Sequence, residues 1–187
     1  MILSEQKRLQ AIIQLFDGLF LHSEATVLVG GADEPLYIPS ITSGEPHQLI
    51  FRENFVSSAL HEIAHWCIAG KQRRLQPDFG YWYQPDGRNI DQQAQFEAVE
   101  VKPQALEWVF SNACGQKFTP SADNLNASGY AIADNNAFTQ ALVKQARQWC
   151  KGQQLPARAK LFIDELTKEF ETANPYNLEY YQLSYLA

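Results

Sequence analysis

Cysteine is scarce and unpaired in this 187-residue chain: Cys67, Cys114 and Cys150 stand far apart, and no CxxC spacing occurs. An odd set of isolated thiols excludes a disulfide framework and fits a reducing, cytoplasmic setting, with all three read as small buried hydrophobes. Long apolar runs are missing too. The N-terminal stretch Met1 to His22 is broken by Glu5, Lys7, Arg8 and Asp17, so neither a membrane span nor a targeting segment is expected. Positive charge is in deficit: 15 Lys and Arg against 21 Asp and Glu give a net charge of -6. A chain without a basic surplus is a poor nonspecific binder of nucleic acid, while its acidity suits an amine-bearing substrate. Histidine is limited to four residues, and two of them fall within one helical turn.

What is present is enough to fold. Hydrophobic residues make up 45% of the chain and aromatics 12%, so a single domain over residues 1–187 with a substantial core is expected. Leu9, Ile12, Ile13, Phe16, Leu19 and Phe20 recur at helical spacing behind Ser4, a suitable N-cap. Thr26–Val29, Leu36–Ile38 and Gln48–Phe51 read as strands, with Gly30-Gly31 as a turn rather than a phosphate loop, since no lysine or helix follows it. The sheet they make is expected to be small and mixed or antiparallel. A helix follows from about Asn54, its N-cap, to Ala69, with Gly70 as the C′ residue. Phe55, Ala59, Ile63 and Cys67 form its expected buried stripe. The basic run Lys71, Arg73, Arg74 reads as a solvated cap of its C-terminus. A further long helix spans Asp91 to about Cys114, kinked or restarted at Pro103. Two amphipathic helices follow, marked by Phe138, Leu142 and Trp149, then by Leu161, Phe162, Leu166 and Phe170. The stretch 175–187 is a docked or frayed tail. The fold class is therefore α+β, with three to four strands and about five helices.

The segment His61-Glu62-Ile63-Ala64-His65 is an HExxH pattern inside the second helix. Residues four apart share one helical face, so both imidazoles can reach one metal ion. Glu62 points about 100° away, where a carboxylate can act on metal-bound water. A third ligand is required, and the best source is the helix carrying Glu97 and Glu100, which are one turn apart among apolar neighbours. Either can ligate, with the other supporting it. Two histidines and a carboxylate serve two chemistries. With Zn²⁺ they make a hydrolase in which Glu62 is the general base. With Fe²⁺ they make a facial triad with open positions for O₂ and substrate. The ligand set alone does not choose. His22-Ser23-Glu24 mimics half of a jelly-roll oxygenase motif, but the strands are too few for that fold.

Residues 61–71, Asp78-Phe79-Gly80-Tyr81-Trp82-Tyr83, Pro85-Asp86-Gly87-Arg88 and 96–106 together resemble the bacterial elongation factor P hydroxylases. Asp33-Glu34-Pro35 and Tyr37-Ile38-Pro39 resemble that family's early strands. The resemblance implies an oxidoreductase that hydroxylates the β-lysyl-modified lysine of elongation factor P, its protein partner, with no nucleic acid, membrane or stable protein partner. It implies a core like that of a metal-dependent ribonuclease or zincin. It implies a site built from His61, His65 and one of Glu97 or Glu100, binding Fe(II) (with Zn an ion that purified protein can carry) and using O₂ with an unidentified electron donor. Glu62 is then the expected catalytic carboxylate. Tyr81, Trp82, Tyr83, Asp86 and Arg88 are the expected substrate-binding residues, the rings enclosing an aliphatic stem and the acid pairing with amines. The alternatives are a gluzincin-like zinc peptidase, a metal-dependent ribonuclease and a non-enzymatic binding module.

Overall fold

The computed structural model describes residues 4–78, 89–121, 136–152 and 154–186. Helix α1 (Glu5–Glu24) starts on Ser4, whose hydroxyl accepts from the Lys7 N–H, and stops where Ala25 turns left-handed at φ 48°. Strands β1 (Thr26–Ala32), β2 (Leu36–Ile38) and β3 (His47–Arg52) follow. Among the described residues, helices α2 (Val56–Ile68), α3 (Ile90–Cys114), α4 (Asn136–Cys150) and α5 (Ala157–Glu169) follow, with a short 3₁₀ turn at Arg73–Leu75 and two more beyond α5. The α+β class, the mixed sheet and the five helices agree with the sequence.

β3 is central, parallel to β1 and antiparallel to β2. Alternation does the sorting: Leu28, Tyr37, Leu49 and Phe51 are buried. Gly30-Gly31 is not a turn. β1 runs through it, and the register against β3 slips between Val29 and Ala32. The glycines serve this bulge: Gly31 has φ 85°, and a Cβ on Gly30 would lie 2.5 Å from the Phe51 ring and 2.8 Å from Asn54 Oδ1.

The start of α2 also differs from expectation. Phe55, in extended conformation, holds the cap position without a side-chain hydrogen bond, and it is exposed rather than part of the buried stripe. Asn54 does not cap, because its amide lies over Gly30. At the other end Ala69 stays extended, Gly70 is not left-handed, and a guanidinium does the capping instead. Arg158 Nη2 on α5 donates to the carbonyls of Trp66, Cys67 and Ala69. Arg74 is likewise not solvated: it is buried, paired with Glu24 at 2.9 Å and placed over the Trp66 ring, which Arg158 also contacts. A carboxylate and an indole face make that burial tolerable.

α3 is one continuous helix through Pro103, which kinks no second element out of it, and an Asn89–Gln92 capping box opens it. The proline costs only the bond to the carbonyl one turn back, and packing holds the rest. The core joins Phe16, Phe20, Phe110, Phe162 and Trp66 in edge-on contacts between α1, α2, α3 and α5. All three cysteines are buried and free. The C-terminal stretch docks as far as it is described. Tyr181 is fully buried, its hydroxyl donates to the Pro175 carbonyl, and Arg147 ties the Leu178 carbonyl down at 2.8 Å. No helix among the described residues is long and apolar enough to cross a membrane.

Candidate metal centre

α2 and α3 pack against each other and bring one face of each to a common point. On α2, the four-residue spacing stacks His61 above His65, with their Nε2 atoms 3.0 Å apart. On α3, Glu100 faces them. Its Oε1 is 3.3 Å from His65 Nε2 and its Oε2 3.5 Å from His61 Nε2. These are the three residues among those described whose donor atoms cluster as a metal site requires.

The chemistry of this cluster fits a divalent cation. Two donors each about 2.1 Å from one ion and at about a right angle are themselves about 3.0 Å apart, which is the observed Nε2 separation. Without a metal ion, protons on the imidazole nitrogens take the cation's place between the rings and the carboxylate. Three protein ligands also leave coordination positions open for reactants.

Glu107, two turns beyond Glu100 on α3, was not apparent from the motif. Its Oε2 lies 2.9 Å from His61 Nδ1, and the residue is buried. With a metal bound, such a carboxylate would hold the proton on Nδ1 and leave Nε2 free to ligate. The available signal was a glutamate inside the apolar run Ala105–Phe110, where a charge has no reason to sit unless it is paired.

The charges respond accordingly. Burial disfavours the imidazolium of His61, but the Glu107 hydrogen bond and the charges of Glu107, Glu100 and Glu62 outweigh it and push its pKa up to about 10. Burial also disfavours the Glu100 carboxylate. Here the His65 hydrogen bond and charge, then His61 and Gln104, prevail and bring its pKa down to about 2. Burial raises Glu62 and Glu107, against the pull of the histidines. The His61 shift describes a site whose carboxylates favour positive charge, while burial governs Glu62 and Glu107.

The other sequence candidates are distributed as follows. Glu97 is outside the donor cluster and accepts instead from Gln93 Nε2 at 3.0 Å. Glu62 is also outside it, but it lines two cavities of about 370 and 250 Å³ that meet at the cluster. Tyr81, Trp82, Tyr83, Asp86 and Arg88 lie outside the described residues. Gln104 steadies Glu100 from the side. Its amide reaches Glu100 Oε2 at 3.4 Å and is itself fixed by the backbone of Ser121 in both directions.

A sequence model of the elongation factor P hydroxylase family matches residues 15–181 of this chain. The elongation factor P lysine hydroxylase of Haemophilus influenzae is 44% identical to it over 174 residues, which is 92% of this chain and 95% of the relative.

Proposed function

The chain belongs to the elongation factor P hydroxylase family, and on that premise we propose that it is a monooxygenase-type oxidoreductase acting on the β-lysyl-modified lysine of elongation factor P. The observation that carries this reading is the His61–His65–Glu100 cluster, with Glu107 fixing the tautomer of its first histidine. His61, His65 and Glu100 would hold Fe²⁺, and the bound ion would supply activation of O₂ for insertion of one oxygen atom into a C–H bond. The second oxygen atom leaves as water, formed with two electrons and two protons from a separate donor. The zinc-peptidase alternative is not favoured, because the family and the relative are hydroxylases.

The protein's own groups have distinct tasks. Glu107 orients His61, and Gln104 restrains the Glu100 carboxylate. Glu62, whose pKa burial raises, can move a proton at its carboxyl oxygen or pair with a substrate amine. Tyr81, Trp82, Tyr83, Asp86 and Arg88 are proposed to line the approach of the substrate. Substrate encounter takes place in the cytoplasm, where a translation factor resides, and the surrounding core is proposed to follow a metal-dependent ribonuclease-like or zincin-like arrangement. The experiment is to weigh β-lysylated elongation factor P after incubation with Fe²⁺, O₂ and enzyme. Wild type adds one oxygen atom and His65→Ala adds none. An undiminished gain with His65→Ala overturns the assignment.

A further inference from the structure

Two cavities meet at the candidate centre, and Glu62, His65 and Glu100 line both. They differ in size and in wall chemistry. The smaller, about 250 Å³, also contains His61 and Glu107 and is walled by Ser57, Thr119, Ser121 and Gln104 together with Pro35, Phe96 and Arg52. It is the compartment of the ligand atoms themselves. The larger, about 370 Å³, is walled by Leu49, Ile68, Val99 and Pro103 with the rings of Tyr37 and Trp66.

A lysine side chain lengthened by a β-lysyl group is mostly methylene, interrupted by an amide and bearing ammonium groups. Such a chain needs apolar walls along its length and carboxylates where the amines fall. The larger cavity has both: the aliphatic wall and the Glu62 carboxylate. Two of its three cationic wall residues are paired, Arg73 with Asp78 at 2.6 Å and Arg74 with Glu24 at 2.9 Å, and the third, Lys102, is exposed to solvent. Size agrees, since pockets for small organic ligands start at about 300 Å³; the larger cavity exceeds that and the smaller does not.

We propose that the larger cavity is the channel that receives the modified lysine side chain, with Leu49, Ile68, Val99 and Pro103 guiding the stem and Glu62 taking an amine. This assignment rests on the hydroxylase reading above.

Rim substitutions test it. Val99 is 49% exposed and Lys102, one turn on, is also exposed. Both line the larger cavity, so Val99→Trp or Lys102→Trp should obstruct it without disturbing the core. Thr119→Trp obstructs the exposed lip of the smaller cavity. With β-lysylated elongation factor P as substrate, Val99→Trp and Lys102→Trp are expected to raise KM by about tenfold or more, with metal content and Tm unchanged, while Thr119→Trp leaves KM within about twofold. The opposite pattern, with Thr119→Trp raising KM and the other two variants not, overturns the channel assignment and leaves the hydroxylase reading intact. Failure of the wild-type enzyme to add oxygen to elongation factor P overturns the hydroxylase reading itself, and the channel with it.

Discussion

Glu107 and Glu97 separate two kinds of glutamate that look alike in sequence. Both lie on α3, and both flank Glu100. Glu107 is buried against His61 Nδ1 at 2.9 Å, whereas Glu97 meets Gln93. Carboxylates that orient a ligating histidine are typically worth about 10–100-fold in metal affinity. Glu107→Ala is therefore expected to weaken metal binding by about that factor. Glu107→Gln, which keeps an acceptor for the Nδ1 proton, should recover part of the loss, and Glu97→Gln should stay within about twofold. Competition against a chromophoric chelator measures all three; a Glu97→Gln loss as large as that of Glu107→Ala contradicts the assignment. That His61 and His65 share one face was legible in their four-residue spacing. The choice between Glu97 and Glu100 was not, because residues three apart differ by only about 60° around a helix and packing against α2 decides between them.

Elements set the orientation that the residues need. His65 stands in the last turn of α2, whose C-terminal carbonyls find their donor in Arg158 rather than in a glycine cap. Arg158→Ala leaves these carbonyls without that partner and is expected to destabilise the fold by about 2 kcal/mol. It should also lower metal affinity by loosening the turn that carries His65. Urea unfolding and chelator competition measure the two effects, and an unchanged midpoint contradicts the capping role. Nothing in the sequence near Gly70 foretold this cap, because its donor lies on α5. The same kind of long-range cause governs the other local differences. Gly30-Gly31 has a turn composition, yet Phe51 needs the space over Gly30, so the strand bulges instead of ending. Asn54 has an N-cap composition, yet that bulge takes its side chain. Helix α1, by contrast, matches its sequence from the Ser4 cap through its apolar stripe, since every contact that defines its start is local.

At the scale of the whole molecule, the site exists only where α2 and α3 meet, with the sheet behind α2 and α5 bracing both. Periodicity identified these helices and their apolar faces, and so the class of fold. It could not supply the two cavities, which are products of assembly: β2, β3, α2 and α3 each contribute to the larger one. The central claim is that this assembly binds iron at His61, His65 and Glu100 to hydroxylate modified elongation factor P. The most direct measurement pairs the metal content of protein purified without oxygen with a mass measurement of β-lysylated elongation factor P after reaction under isotopically heavy O₂. The account predicts about one iron per chain and one heavy oxygen atom on the substrate. Tightly held zinc, with no heavy oxygen incorporated, would contradict it.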